Sequence, residues 1–322
     1  MTNTPLVSVI IPTYNRANKV CDAIRSVIAQ TYKNVQLLVV DDGSTDSTSD
    51  LIKLFPGIEF IQQRHAGQAA ARNNGLKNAK GDLIANLDSD DIWEPTFLWE
   101  CVEKIVSDNF DFVFANWTQE YKMAASHDFL KGDPFLKPYF RRLKNNWIDL
   151  EAEDLRHLYL RACPSPSSSL VMRKSAIVSG WDEQINIGDD WTLYLDMILS
   201  KPRRASFTLK KLWTKRVDGI NIYDGRVRSE VLSLLYISDL NRILERHKDK
   251  LTTKEKRVLE RTQMVGLVEL SKHKIIREFN FEQAISLFRR SCVISKRYTF
   301  WAIPKVLFGG LENKIKGIFL QG

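Results

Sequence analysis

The sequence predicts an α/β domain on a mostly parallel central sheet, followed by a helical C-terminal region. Short β-branched runs alternate with segments of helical period over the first hundred residues, the pattern of strand–helix–strand crossovers. Those runs end in polar, acid-rich stretches, where ligands of such sheets bind. From about Arg226 onward only helical spacing remains.

The first strand is predicted in Leu6–Arg16, where the run "VSVII" ends at Pro12. Val20, Ala23, Ile24, Val27 and Ile28 then recur at helical spacing. "VQLLVV" (Val35–Val40) is the second strand, and it stops at the polar turn "DDGSTDST", in which Ser44, Thr45 and Asp46 are candidate helix caps. "DLIKLF" predicts helix and "IEFIQQ" a third strand. "GQAAARNNGLKNA" predicts a helix with a glycine break, and "DLIANLD" a fourth strand. The middle of the chain, Phe112 to Asn221, is less regular. Within it, "NIGDDWTLYLDMIL" places two acids just before a helix with Leu193, Met197 and Ile198 on its apolar side. Residues 1–224 are expected to form one domain and residues 225–322 a second, helical region.

The 322 residues include 44% hydrophobic and 27% charged residues, ordinary for a globular protein with a sizeable core. The net charge of +8 is uneven: residues 225–322 carry 20 Lys and Arg against 10 Asp and Glu, and residues 1–224 carry 27 against 29. Cys21, Cys101, Cys163 and Cys292 stand far apart without a C-x-x-C pair, which argues against a zinc site or a disulfide framework and fits a reducing compartment. No signal peptide and no span-length apolar stretch is indicated, so a cytoplasmic location is expected.

The fourth strand ends in Asp88, Asp90 and Asp91. Such a cluster repels itself unless a cation sits in it. Asp88 and Asp90, one residue apart in an extended segment, point the same way. They suit Mg²⁺ or Mn²⁺ held by one or two carboxylates, with a diphosphate supplying other ligands. D-x-D alone is common by chance and usually marks a turn or a cap. A P-loop, a G-x-G-x-x-G after the first strand, a G-x-S-x-G elbow and metal-spaced histidines are all absent, which disfavours the chemistries they carry.

"SVIIPTYNR", "LLVVDDGSTDST", "GQAAARNNGL", "GDLIANLDSDD" and "GDDW", in this order, resemble the inverting family-two glycosyltransferases with the GT-A fold, of the bacterial, polysaccharide-building kind. The resemblance is dense to Pro95, thins to Gly180 and resumes at "GWDEQINIGDDWTLYL". It implies that Pro12, Thr13 and Tyr14 hold the nucleoside, that Asp42 accepts the imino N–H of uracil, and that Arg72 lies near the phosphates. Asp41 would cap or brace the turn. The resemblance further implies that Asp90 is the chief metal ligand, that Asp88, beside Ser89, is a donor-sugar or second metal contact, and that Asp190 is the general base. Asp189 stands where the family commonly has Glu, and Asp91 is a third acid of unassigned role. Trp191 completes "GDDW". "KRVDGIN" matches the family's R-x-H-x-x-N at Arg216 and Asn221, with Asp218 in place of His and hence a further candidate ligand. Plain alternatives stand beside these: a loop aromatic for Tyr14, an exposed helical charge for Arg72, and helix caps for Asp189 and Asp190.

The expected activity is metal-assisted sugar transfer from a UDP-sugar to a hydroxyl of a glycan or lipid-linked saccharide. A sugar-phosphate nucleotidyltransferase would be expected to show a glycine-rich phosphate loop after the first strand, and "PTYNRANK" has no glycine. A mere binding module would not need Asp190 as well as the Asp42 and Asp90 sites. In the basic C-terminal third, Leu307, Leu311, Ile315 and Ile318 share a helical face, which fits either packing or peripheral binding to an anionic membrane. No nucleic-acid motif is recognisable.

Overall fold

The structure, a computed structural model, describes residues 4–120, 128–216 and 226–319, with side chains to residue 304. It divides into two compact units: residues 1–184 with 189–218, and residues 185–188 with 219–322.

The first unit is built on one sheet. Its strands are β1 (Val7–Thr13), β2 (Val35–Asp41), β3 (Glu59–Gln62), β4 (Leu83–Asn86), β5 (Ile92–Trp93), β6 (Phe112–Glu120), β7 (Trp147–Leu150), β8 (Leu170–Arg173) and β9 (Ala205–Arg216), in the order β3-β2-β1-β4-β8-β6-β9-β5, with β7 paired to β9. Helices α1 (Val20–Ile28), α2 (Thr48–Ile52) and α3 (Gln68–Asn78) make the crossovers among the first four strands, which are all parallel. Beyond β4 the sheet is mixed. β8 runs antiparallel to both β4 and β6, and β9 is parallel to β6 but antiparallel to β5 and β7. The expected α/β sheet is thus wholly parallel through its first four strands and mixed beyond them, with β6–β9 its longest parallel pairing there. Helices α4 (Phe97–Asp108), α5 (Phe129–Gly132), α6 (Ala152–Tyr159) and α7 (Asp189–Ser200) complete this unit.

β1 shows why the strand pattern is legible. Val7, Val9, Ile10 and Ile11 are all fully buried, as β-branched residues of a sheet covered on both faces should be. Each contributes about 1.5–3 kcal/mol of burial. Pro12 is tolerated because β4 has already diverged: its pairing to β1 ends at Ile10↔Asn86, so no N–H is needed on that side. The glycine inside α3 does not break the helix. A Cβ on Gly75 would lie 2.4 Å from Ile10 Cγ2, so glycine lets α3 sit directly on β1.

The second unit is helical: α8 (Arg228–Ser233), a π-helical turn (Leu234–Asp239), α9 (Leu240–Arg246), α10 (Thr253–Glu278) and α11 (Phe281–Phe319). Thr252 and Glu255 form a capping box at the start of α10. Leu232, Ile237, Leu267 and Leu270 form a buried cluster. α11 contains a non-helical residue, Ser295, and Pro304. Leu307, Leu311, Ile315 and Ile318 are within its span, but their side chains lie outside the described residues. Among the described residues no helix is long and apolar enough to cross a membrane.

Candidate active site

The parallel register gathers the acids. Thr13 pairs with Asp41 at the carboxyl ends of β1 and β2, and β4 delivers Asp88 just beyond the same edge. Thr13 Oγ1 is buried there without a hydrogen-bond partner. Asp41 braces the following turn: it accepts from Ser44 N at 3.1 Å and from Ser49 Oγ. Asp42 gathers a loop. Its carboxylate accepts from Gln63 Nε2 at 2.8 Å, Ala66 N at 2.9 Å and Gly67 N at 2.8 Å, and His65 Nδ1 lies 2.9 Å from its Oδ2. The His65 ring stacks on Tyr14, with centroids 4.2 Å apart.

Arg72 is the centre of the acid cluster. It projects from α3, is 1% exposed, and reaches Asp88 at 2.8 Å, Asp189 at 2.6 Å and Asp190 at 3.5 Å. The field of these carboxylates outweighs its burial and holds the guanidinium firmly protonated. Trp181 Nε1 donates to Asp190 Oδ1 at 3.0 Å. Burial raises both acids of α7 above the ordinary carboxylate range, against the pull of Arg72, with Asp189 pushed up to about 7.

Asp90 lies 3.6 Å from Arg16. Burial and then the charge of Asp88 raise its pKa, while Arg16 and Lys19 pull it down. Asp91 is fully committed to structure. It accepts from Ser168 Oγ at 2.6 Å and from the backbone N–H of Arg216 at 3.2 Å, and burial holds it well above its usual range. Among the described residues, no three of His, Cys, Asp and Glu converge closely enough to hold a metal. Among the described residues a cation here would therefore be held by two carboxylates, Asp90 with Asp88, completed by further ligands.

Residues 8–155 match the model of Glycosyl transferase family 2. Over that stretch, a little under half of its length, the chain is similar to the family 2 glycosyltransferases. An uncharacterized glycosyltransferase of Rickettsia conorii is 44% identical over 117 residues, 35% of this chain and 19% of that protein. The UDP-Glc:alpha-D-GlcNAc-diphosphoundecaprenol beta-1,3-glucosyltransferase WfgD of Escherichia coli is 41% identical over 115 residues, 35% of this chain and 46% of that protein. The match thus spans less than half of either relative. The mannosyltransferase PcManGT of Pyrobaculum calidifontis, solved with GDP-Man and Mn²⁺, is 16% identical with a TM-score of 0.58 over 97% of this chain and 88% of that one, a likeness of fold. That fold is GT-A.

The domain brings Asp88, Asp189 and Asp190 onto one guanidinium and sets Ser89, Asp90 and Asp91 beside them. Arg72 is neither an exposed charge nor open to solvent, because three carboxylates surround it. Asp189 and Asp190 open α7, but their side chains turn to Arg72 and Trp181. Trp191 is buried and donates to Tyr159 O at 2.6 Å, which anchors α7 in the core. The Arg216 side chain pairs with Asp22 at 2.9 Å and with Glu120 at 3.6 Å. Asp218 and Asn221 lie outside the described residues.

Sequence reasoning missed Trp181 and Ser168. Ser168 accepts from Asp88 N at 3.1 Å, donates to Asp91, and so ties the D-x-D segment to "PSPSSS". The serine run was the available signal, but serine runs more often mean loop than site.

Proposed function

We propose that this protein is an inverting, metal-dependent glycosyltransferase that moves a sugar from a UDP-sugar to a hydroxyl of a lipid-linked or growing glycan. The observation that carries the reading is Arg72. One buried guanidinium joins Asp88 of the D-x-D segment to the acids that open α7, so the donor diphosphate and the acceptor hydroxyl would meet across a single residue.

In this reading Asp190 is the general base. Trp181 donates to its Oδ1, and Arg72 lies 3.5 Å from the same oxygen, so both hold the carboxylate that would take the acceptor proton. Its raised pKa makes it a stronger base than an ordinary carboxylate. Asp189, held at 2.6 Å by Arg72, keeps that guanidinium in place. The acceptor oxygen forms a bond to the anomeric carbon as the bond to the diphosphate oxygen breaks. The nucleoside diphosphate leaves and the configuration inverts, since no enzyme nucleophile intervenes. Asp90 and Asp88 would hold Mn²⁺ or Mg²⁺, which when bound supplies positive charge to the leaving diphosphate. Pro12, Thr13, Tyr14, Asp42 and Ser89 would form the nucleoside and donor side.

UDP is favoured over GDP because the 41%-identical WfgD is named for UDP-Glc, whereas the GDP-Man neighbour shares the fold at 16%. WfgD's named acceptor, a diphosphoundecaprenol-linked saccharide, supports a lipid-linked acceptor and polysaccharide building. Products test the reading. Incubation with UDP-glucose, UDP-N-acetylglucosamine and GDP-mannose plus Mn²⁺ is expected to release free UDP from a UDP-sugar. Pyrophosphate released in a parallel incubation with UTP and a sugar 1-phosphate would mean nucleotidyl transfer instead, and no product in either would mean binding alone.

A cytoplasmic location with peripheral membrane binding completes the proposal. It rests on the basic excess of residues 225–322 and the apolar spacing of Leu307, Leu311, Ile315 and Ile318. The full chain is expected to co-sediment with anionic liposomes and less so in high salt. Equal recovery in the supernatant with anionic and neutral vesicles would dismiss this part.

A further inference from the structure

Asp239 closes the π-helical turn of the second unit and is 1% exposed. Its carboxylate accepts four hydrogen bonds from three consecutive residues. Oδ1 takes Asn186 N at 2.9 Å and Asn186 Nδ2 at 2.8 Å; Oδ2 takes Ile187 N at 2.8 Å and Gly188 N at 3.0 Å. A carboxylate offers about four acceptor positions, so this short strap of backbone uses them all. Glycine permits the approach: a Cβ on residue 188 would lie 3.0 Å from Leu235 Cδ1 and 3.7 Å from Asp239 Oδ2. The strap Ile185–Gly188 belongs to the helical unit, although 30 further residues of the first unit follow it in the chain. The next two residues are Asp189 and Asp190, the start of α7.

We propose that Asp239 is a positioning residue for sugar transfer. By fixing residues 186–188 it fixes the point and direction at which the chain enters α7, and with it the stance of the Asp190 carboxylate. The proposal rests on Asp190 being the base. Stability alone is a weak reason for such a group. A buried carboxylate is costly unless fully bonded, and apolar packing serves stability as well or better. Capturing three successive backbone N–H groups is what a carboxylate does and an apolar side chain cannot.

The test uses the full chain carrying Asp239→Asn, which keeps the shape but sets an NH₂ against two of the donors. Hydrogen exchange of the peptide spanning residues 185–192 is expected to quicken about tenfold, with exchange in β1–β4 unchanged. UDP release from UDP-glucose or UDP-N-acetylglucosamine should fall about tenfold in kcat, with UDP affinity within twofold of wild type. Asn186→Ala, which removes one bond and leaves three, should give the same pattern more weakly and guards against a folding failure. Retained kcat, an equal loss of UDP affinity, or faster exchange throughout β1–β4 would overturn the proposal. Asp190→Asn measured alongside separates the two ideas. If it keeps turnover, the base assignment fails. If it loses turnover while Asp239→Asn keeps it, only the positioning role fails.

Discussion

Asp190→Asn is expected to bind UDP as the wild type does and to lose turnover by about 10²–10⁴-fold, the usual worth of a general base. The substitution preserves the carboxamide outline, so Trp181 can still donate to the remaining oxygen. Thr13, Tyr14, Asp42 and Asp90 are untouched, which is why donor binding should survive. The same assignment fixes a pH dependence. Burial raises both acids, so their proton is held to higher pH than on an ordinary carboxylate, and Asp189 holds its own to about 7. A base must be deprotonated to act, so wild-type turnover should rise with pH through the acid range and fall about tenfold per unit below the pair's apparent pKa. That limb should vanish from the residual activity of Asp190→Asn. Rate profiles and calorimetric UDP titrations check both points. Parallel loss of UDP affinity and turnover would reduce Asp190 to a structural acid at the head of α7.

Asp90→Asn is expected to weaken Mn²⁺-dependent UDP binding at least tenfold, about 1.4 kcal/mol, while the fold remains intact. The neighbouring Asp91→Asn is the internal control. Asp91 is spent on Ser168 and the Arg216 N–H, and its charge is destabilised by burial beside Asp88 and Asp90. Removing that charge should leave UDP and Mn²⁺ binding within twofold. Calorimetry with Mn²⁺ and with EDTA distinguishes them. Metal-dependent binding lost equally in both variants, or in neither, would break the two-carboxylate reading of Asp88 and Asp90.

The first four strands were legible because parallel strands covered on both faces are near-continuously apolar, and "VSVII" and "VQLLVV" are, apart from Ser8 and Gln36, which bond each other. The second half of the sheet was not. β6 and β9 shift register between Ala115, Asn116 and Trp117, which scrambles the side-chain alternation that reveals a strand. β8, only four residues long, follows a Pro–Ser run that looks like loop. At the site, D-x-D and "GDDW" were legible as acids but not as a cluster. A guanidinium joining residue 72 to residue 189 is a fact of topology, not of local spacing. Asp239 had no sequence signal at all, since its partners stand about fifty positions earlier in a segment without regular period.

Asp42 has a consequence for donor recognition. Gln63, Ala66 and Gly67 donate to its carboxylate, and the His65 ring lies against it. If the proposed uracil imide bonds this carboxylate, it competes with those neighbours, and the two side chains, Gln63 and His65, are the easier to move. On that proposal the protein would supply an internal competitor for the nucleobase. Observed UDP affinity would then be the intrinsic affinity scaled by the fraction of molecules in which that competitor has swung away. Residues 63–65 would thereby tune donor affinity, and with it the working range of donor concentration, without touching the sugar, the diphosphate or the base.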